Sequence, residues 1–265
     1  MHVSVVVPTR DSCRTLERCL RSIRAQTYSP LELVVADNAS SDGTRGIAER
    51  LADTVLVAGP ERSAQRNEAA RAASGSALLF VDSDMVLTPS VVAECVEAAA
   101  RGADAVIIPE QSFGEGFWAR CKALEKSCYI GDPSIEAARF FSRAIFERVG
   151  GYDEDLAAGE DWDLHERAAR AGANVARISA LIWHDEGALR ISSLAAKKFR
   201  YGRTLGLYAQ KHPALARRQL RLVRPAFVRH RSRLARDPVA AAGMIVMKAS
   251  EAAAGAAGMF ATKLQ

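Results

Sequence analysis

The stretch Ala77-Leu78-Leu79-Phe80-Val81-Asp82-Ser83-Asp84-Met85 runs from five apolar residues directly into two carboxylates. A continuous apolar run of this length predicts a strand buried on both faces, in a parallel sheet covered by helices. Ligands of open α/β sheets bind at the carboxyl ends of strands, where Asp82 and Asp84 are expected. Carboxylates at this spacing suit Mg²⁺ or Mn²⁺ with a substrate phosphate. They also fit a polar turn before the helix that Thr88-Pro89 predicts.

Strands and helices alternate on both sides of this stretch. The predicted strands cover residues 3–7, 31–36, 54–58, 77–81 and 105–109, and the predicted helices follow Ser12 or cover 43–52, 62–74 and 89–101. This alternation predicts an α/β fold with a doubly wound, mostly parallel sheet. Later elements are shorter, with strands at 139–142, 175–178 and 181–183 and helices at 142–149 and 161–171.

The intervening stretch 110–138 is predicted to be irregular, because it is rich in glycine. It contains Gly114-Glu115-Gly116-Phe117-Trp118-Ala119, which matches a dinucleotide-binding fingerprint by letter. That fingerprint should directly follow a strand within its own βαβ unit, whereas five residues intervene here. We therefore interpret the stretch as a substrate-facing loop with an aromatic wall.

The composition is that of an ordinary soluble protein, with 265 residues, 49% hydrophobic and 25% charged. This length fits one large domain and an appendage. No basic segment followed by a long apolar stretch opens the chain, so no secretory signal is expected. The five cysteines, Cys13, Cys19, Cys95, Cys121 and Cys128, form no Cys-x-x-Cys pair. They predict free thiols in a reducing cytoplasm.

The charge is distributed unevenly along the chain. Residues 189–236 carry 14 of the 36 basic residues and no acid, so the remaining 22 face 31 acidic residues, a net charge of −9. The basic residues are interleaved with apolar ones: Phe199, Tyr201, Leu205, Leu207, Tyr208, Leu215, Leu220, Leu222, Val223 and Phe227. This pattern predicts basic amphipathic helices attracted to an anionic membrane surface. A helical subdomain with a solvated basic face is the alternative, and nucleic acid is not expected because no binding motif accompanies the charge.

Two apolar runs follow within residues 238–262, separated by Lys248 and Glu251. Neither run reaches the ~18 residues that cross a bilayer. A Lys and a Glu would also be costly at a membrane centre. The sequence therefore predicts a region that lies on a membrane rather than one that crosses it.

Several stretches, taken in order, resemble the family 2 glycosyltransferases, which have the GT-A fold. The resemblance covers about residues 3–187 and rests on the following motifs: Val3-Ser4-Val5-Val6-Val7-Pro8-Thr9-Arg10, Leu33-Val34-Val35-Ala36-Asp37-Asn38-Ala39-Ser40-Ser41-Asp42-Gly43-Thr44, Gln65-Arg66-Asn67-Glu68-Ala69-Ala70, Phe80-Val81-Asp82-Ser83-Asp84, Gly150-Gly151-Tyr152-Asp153-Glu154, Gly159-Glu160-Asp161-Trp162-Asp163-Leu164 and His184. The fold it implies is a Rossmann-like GT-A domain with a C-terminal helical, basic and apolar appendage.

The resemblance implies a role for each matched position. Nucleotide-sugar contacts fall on Pro8, Thr9, Arg10, Asp37, Asn38, Arg66, Asn67, Asp82, Ser83 and Asp84. Asp84, with Asp82 and His184, would hold Mg²⁺ or Mn²⁺, and Asp161 would be the general base beside Glu160. The residues alone also allow Glu160-Asp161 as a helix-capping cluster, Arg66 as a solvated helix charge and His184 as a structural residue.

The resemblance implies an inverting transfer of sugar from a nucleotide-diphosphate sugar, most often a UDP-sugar, to an acceptor hydroxyl. The basic C-terminal region predicts that the acceptor is a lipid-linked or membrane-proximal glycan. Residues 1–109 would bind the donor, 110–187 the acceptor, and 188–265 an anionic membrane at the inner face of the cell membrane. A soluble acceptor is an alternative. Glycoside hydrolysis, a nucleotidyltransferase and a catalytically dead sugar-nucleotide binding module are weaker alternatives. The first does not require the nucleotide signature, and the second usually shows a Gly-rich basic loop where this chain has Pro8-Thr9-Arg10-Asp11.

Overall fold

The structure is a computed structural model that describes residues 1–219 and 224–263. Its strands are β1 (Val3–Thr9), β2 (Leu31–Asp37), β3 (Thr54–Val57), β4 (Ala77–Phe80), β5 (Met85–Leu87), β6 (Ala105–Ile107), β7 (Glu110–Glu115), β8 (Ala138–Ser142), β9 (Val175–Arg177) and β10 (Ile182–Ala188). Its helices are α1 (Leu16–Arg24), α2 (Thr44–Leu51), α3 (Arg62–Ala72), α4 (Val91–Ala100), α5 (Gly116–Ser127), α6 (Arg143–Arg148), α7 (Glu160–Arg170), α8 (Ile191–Lys211), α9 (Pro213–Gln219), α10 (Pro225–Arg229), α11 (Arg231–Arg236) and α12 (Pro238–Lys263).

The chain divides into two compact units. The first comprises Met1–Pro109, Ala137–Glu154 and Glu160–His184, and the second comprises Glu110–Glu136, Asp155–Gly159 and the chain from Asp185 onward.

The first unit is built on a seven-stranded sheet with the order β3-β2-β1-β4-β8-β6-β9. All neighbouring strands are parallel except β8, which is antiparallel to both β4 and β6. The apolar runs of β1 and β4 are buried along their whole length because helices cover both faces of the sheet. The predicted doubly wound, mostly parallel sheet is therefore confirmed.

Two apolar cores lie on the two faces of this sheet. On one face, Leu16, Leu20 and Ile23 of α1 pack at helical spacing against alternate residues of β1 and β2. On the other face, the ring of Phe80 meets that of Tyr152 edge-on, with centroids 5.0 Å apart. The second core therefore anchors Tyr152 beside the carboxyl end of β4.

The short strand β5 pairs antiparallel with the first half of β10, and His184 lies opposite Met85. Met85 immediately follows Asp84, so this pairing brings His184 close to Asp84 although 100 residues separate them. Neither strand belongs to the seven-stranded sheet.

In the second unit, the stretch 110–138 is more regular than expected. It forms β7 and the twelve-residue helix α5 instead of an irregular loop. Gly116 begins the helix with φ +81°, a conformation that favours glycine. Cys121 of α5 packs against Met244 and Met247 of α12, and this distant contact is invisible in the local pattern. The strand β7 lies outside the parallel sheet, so no parallel βαβ unit surrounds the fingerprint-like glycines.

The basic region forms the helices α8 to α11, as expected, while Leu220, Leu222 and Val223 lie outside the described residues. The two apolar runs after it form one continuous helix, α12. Its span Pro238–Ala261 is, by length and composition alone, long and apolar enough to cross a membrane, which corrects the expectation from the separate runs. All five cysteines are free thiols, as predicted.

Candidate active site

The carboxyl ends of β1, β2 and β4 bring together polar residues that the sequence singles out. Thr9 and Asp37 are opposite each other in the register of the two parallel strands. Asp82 lies two residues beyond the last residue of β4, which is the neighbour of β1 on its other side. Thr9 is buried, and its Oγ1 has no hydrogen-bond partner among the described residues. This edge is a candidate nucleotide pocket.

The turn after β2 is shaped by Asp37. Its carboxylate accepts hydrogen bonds from the Ser40 backbone N at 3.1 Å and from Ser40 Oγ at 2.5 Å. Asn38 Nδ2 donates to the carbonyl of Pro60 at 2.5 Å. Two carboxylate oxygens offer about four acceptor positions, so Asp37 retains capacity for a ligand.

Gln65 ties the ends of β1 and β2 together and was not among the predicted site residues. Its buried amide donates to the carbonyl of Thr9 at 2.9 Å and to that of Ala36 at 2.7 Å. The polar amide within a motif of α3 was the available signal. By contrast, Pro8 is buried within β1, and Arg10 is exposed beyond it.

Arg66 is the centre of an ionic cluster rather than a solvated helix charge. Its side chain is completely buried. Nη2 lies 2.6 Å from Asp82 Oδ1, and Nη1 lies 3.3 Å from both Glu160 Oε1 and Asp161 Oδ1. The guanidinium also stacks over the ring of Tyr152, 4.8 Å from its centroid. The structure thus brings three predicted site residues, Asp82, Glu160 and Asp161, around one cation.

Two further arginines complete this cluster. Arg139 Nη1 lies 3.6 Å from Asp82 Oδ2, and its Nη2 lies 3.9 Å from Asp161 Oδ2. Arg62 Nη2 lies 3.2 Å from Glu160 Oε1. Three guanidinium groups therefore face three carboxylates. Sequence reasoning missed Arg139, because only the antiparallel strand β8 brings it next to the end of β4.

The cluster changes the protonation of its members. Burial alone would raise the pKa of Asp82, but Arg66 and Arg139 outweigh burial and lower it. Burial would lower the pKa of Arg66, while Asp161 and Asp82 raise it. The pKa of Glu160 is raised, first by burial and then by the neighbouring charge of Asp161. Asp82 is thus held as an anion, while Glu160 binds its proton more tightly than an exposed glutamate does.

Asp161 is the most exposed of the three carboxylates. Its side chain is 26% exposed, against 16% for Asp82 and 7% for Glu160. The Tyr152 hydroxyl donates to Asp161 Oδ1 at 3.2 Å, so the carboxylate is oriented as well as accessible. Tyr152 follows a turn at Gly151, where φ is +71° and a Cβ would lie 2.7 Å from Asn67 Oδ1. Only glycine fits this turn without strain.

The side chain of Asn67 bonds to the segment that contains Tyr152 and Glu154. Its Nδ2 donates to the Tyr152 carbonyl at 2.9 Å and to Glu154 Oε1 at 2.8 Å, and its Oδ1 accepts from the Tyr152 backbone N at 2.8 Å. These bonds fix the segment that carries Tyr152. The structure therefore places Asn67 in a positioning role.

Asp84 and His184 form a second group of potential ligands. His184 Nε2 lies 3.1 Å from Asp84 Oδ2. Both oxygens of Asp82 point to arginines instead, and within residues 1–219 and 224–263 no group of three or more His, Cys, Asp or Glu could hold a metal ion. One carboxylate and one imidazole still fit a divalent cation that takes its other ligands from water and a diphosphate. Between the two aspartates, Ser83 Oγ donates to Ser12 Oγ at 3.0 Å.

This combination of fold and site defines a class of protein. It is that of α/β enzymes with acidic residues at the carboxyl ends of the strands of a doubly wound, mostly parallel sheet. The sequence matches the family "Glycosyl transferase family 2" over residues 4–148. The chain belongs to this family and is therefore a glycosyltransferase. The resemblance inferred from the motifs is confirmed.

Individual relatives agree with this assignment. The succinoglycan biosynthesis protein ExoA of Rhizobium meliloti (strain 1021) is 26% identical over 237 residues, which cover 80% of this chain and 71% of ExoA. Matches to some other curated glycosyltransferases span only 30% or 32% of their length.

Two solved structures share the GT-A fold. The mannosyltransferase PcManGT from Pyrobaculum calidifontis, in complex with GDP-Man and Mn²⁺, is 20% identical with a TM-score of 0.65, covering 97% of this chain and 86% of that one. S. aureus TarS 1–349, in complex with UDP-GlcNAc, is 18% identical with a TM-score of 0.53, covering 77% of this chain and 66% of that one. The predicted GT-A fold is confirmed.

Proposed function

We propose that this protein transfers a sugar from a nucleotide-diphosphate sugar to an acceptor hydroxyl, with inversion at the anomeric carbon and with Asp161 as general base. One observation carries the proposal: Asp161 is the most exposed carboxylate of an ionic cluster centred on the buried Arg66, and it is oriented by Tyr152 and Arg66. A positioned carboxylate can remove the acceptor proton as the hydroxyl attacks. A single displacement of this kind requires no covalent enzyme intermediate.

The donor nucleotide is proposed to bind at the carboxyl ends of β1 and β2. The buried Thr9 hydroxyl, the remaining acceptor positions of Asp37 and the exposed Arg10 supply hydrogen-bonding groups and a cation there. UDP-sugars are favoured by the family resemblance, and the two structural neighbours contain UDP-GlcNAc and GDP-Man. The donor screen described below identifies the nucleobase of the sugar nucleotide.

Asp84 and His184 are proposed to hold the divalent cation, Mg²⁺ or Mn²⁺. Their 3.1 Å approach supports this assignment, and Mn²⁺ is present in the PcManGT complex. When bound, such a cation would offset the negative charge on the departing diphosphate. Asp82 contributes differently, because Arg66 and Arg139 hold it, and it remains available to a ribose hydroxyl through its partly exposed side chain.

The acceptor is proposed to be a glycan or lipid-linked glycan near a membrane, and the protein to be a cytoplasmic, peripheral enzyme of the inner membrane face. The basic, acid-free region 189–236 supports this proposal, and a soluble acceptor is the alternative. By the family resemblance we propose that residues 1–109 bind the donor and residues 110–187 the acceptor, and by the charge pattern that residues 188–265 associate with the membrane.

Nucleotide release from UDP-, GDP- and dTDP-sugars in the presence of Mn²⁺ tests the proposal. Wild type and Asp161→Asn are compared in parallel, with donor binding measured for both by calorimetry. We expect one donor to bind both proteins and to be turned over only by the wild type. Release by Asp161→Asn at the wild-type rate, or no binding of any donor, would overturn the proposal.

A further inference from the structure

The helix α12 departs from the pattern of an ordinary surface helix, because large apolar side chains point outward as well as inward. Such helices turn apolar side chains inward and charges outward. On α12, Lys248 and Glu251 are turned inward, with side chains 16% and 5% exposed. The large apolar residues Val239, Ile245, Val246 and Phe260 are instead 54% to 67% exposed. The remaining exposed positions between Val239 and Phe260, a fully described stretch, are all alanine.

The inward charges are neutralised by partners on α5. Lys248 Nζ lies 2.9 Å from Glu125 Oε1 and 2.8 Å from Glu251 Oε2. Lys122 Nζ closes the group, 2.8 Å from Glu125 Oε2 and 3.0 Å from Glu251 Oε1. These four residues, here called the ion ring, compensate each other. The two charged side chains of α12 are therefore paired within the unit, while its large apolar side chains on the outer face are exposed.

We propose that the outer face of α12, defined by Val239, Ile245, Val246 and Phe260, lies in the surface of an anionic lipid bilayer. This face extends over about 32 Å at 1.5 Å per residue, a long apolar surface for a helix in water. Phe117 packs against Gly243, and the backbone of Phe199 contacts Gly258; both phenylalanines are more than a third exposed and add apolar surface next to the helix.

A bilayer is favoured over another protein by the charge of the same unit. The helices α8 to α11 expose a series of basic side chains: Lys197, Arg200, Arg203, Arg217, Arg218 and Arg231. No acid occurs anywhere in residues 189–236. Interfacial helices combine an apolar face with basic residues that attract anionic headgroups. Here the two components are divided between α12 and its neighbours in the chain.

The helix lies in the interface and does not cross the bilayer, although its length would allow a crossing. Lys248 and Glu251 occupy its middle, and the ion ring fixes them to α5. The backbones of α12 and α8 also touch, since a Cβ on Gly202 would lie 2.2 Å from the Gly255 carbonyl oxygen. Insertion across a membrane would have to separate these contacts. The inference rests on the proposed membrane association of residues 188–265 and is independent of the donor and of Asp161.

Flotation of the full chain with vesicles of equal parts phosphatidylcholine and phosphatidylglycerol tests the proposal. The double variant Ile245→Asp/Val246→Asp removes two outward apolar side chains, and Val57→Asp is the matched control at a position that is 62% exposed on β3. Wild type and Val57→Asp are expected to float at low salt. The double variant is expected to lose about tenfold or more in partitioning, because burial of one aliphatic side chain is worth roughly that factor. Thermal melting checks that each variant is folded.

Three results would overturn the proposal. The full chain could stay at the bottom of the gradient, or the double variant could float as well as the wild type. Light scattering could also show that the wild type is a dimer and the double variant a monomer, while neither binds vesicles. A second copy of the chain would then cover this face. Nucleotide release measured without vesicles separates failure of this proposal from failure of the proposed activity.

Discussion

Arg66 Nη2 lies 2.6 Å from Asp82 Oδ1, and this guanidinium is completely buried. Asp84, two residues away, pairs instead with His184. The two carboxylates of one Asp-Ser-Asp tripeptide therefore have different partners. Asp82 belongs to the arginine cluster that also holds Asp161, whereas Asp84 is the proposed ligand of the cation.

Arg66→Met is expected to lower the free energy of unfolding by about 3–5 kcal/mol, because it leaves buried carboxylates without their main cation. Arg71→Met on the same helix is the control. Its side chain is 62% exposed and pairs with the half-exposed Glu68, so a loss within about 1 kcal/mol is expected. Urea unfolding measures both variants. Equal effects would show that the cluster has no special role in stability.

Asp161→Asn is expected to reduce kcat by about 10²–10⁴-fold, since the amide cannot accept the acceptor proton. The dissociation constant of the donor should change little, because no donor contact is assigned to Asp161. Steady-state kinetics and calorimetry separate the two effects. Near-normal turnover would remove Asp161 from the mechanism, and loss of donor binding alone would reassign it.

Asp84→Asn and His184→Ala are each expected to weaken Mn²⁺ binding, because each removes one of the two proposed protein ligands. Titration followed by the paramagnetic resonance of free Mn²⁺ reports binding without activity. Glu49→Gln is the control, since Glu49 is an exposed acid that pairs with Arg45 on α2. Wild-type Mn²⁺ affinity in both ligand variants, together with full turnover in EDTA, would contradict the metal assignment.

Lys198 on α8 makes stability depend on pH. Burial lowers its pKa from 10.5 to about 8, with Lys122 and Lys248 adding to the effect and Glu251 and Glu125 opposing it. Below pH 8 the lysine is charged in both the folded and the unfolded state, so burial of the cation lowers the stability of the folded state by its full amount. Between pH 8 and 10.5 the folded state releases its proton first, so the wild type gains stability as pH rises.

Lys198→Met should abolish this gain and stabilise the protein at pH 7 by about 1–3 kcal/mol, the scale of a buried lysine that still reaches some solvent. Lys197→Met, an exposed position on the same helix, should leave the pH profile unchanged. Chemical unfolding across this pH range makes the comparison. A parallel profile for wild type and Lys198→Met would contradict the lowered pKa.

Local patterns were sufficient for the parallel sheet. The apolar runs of β1 and β4 are buried over their whole length, and strands of that kind need no information from elsewhere in the chain. The position of Asp82 at a strand end followed directly. The pairing of Asp84 with His184 followed only through the family resemblance, because the register of β5 and β10 joins residues 100 positions apart.

Contacts between distant residues account for what local patterns missed. Arg66 meets Glu160 and Asp161 across 94 and 95 positions, so its neighbours in sequence gave no sign of complete burial. The stretch 110–138 has glycines at 114, 116 and 131, and this local pattern predicts a loop where the structure has the helix α5. The packing partner of Cys121 comes from the distant α12, which local patterns do not show. In the sequence, Lys248 and Glu251 interrupt an apolar segment. In the structure, both lie on the continuous helix α12, and charged residues of α5 compensate them.

The ion ring also sets the rotation of α12 about its own axis. Successive residues of a helix differ by about 100° in direction, so a shift of one position would swing Lys248 away from Glu125 and break several ion pairs at once. Hydrophobic contacts among alanine and methionine tolerate such slippage, whereas directional charge pairs do not. The ion ring thus fixes one rotational orientation of α12 about its axis, and with it the set of side chains that faces outward.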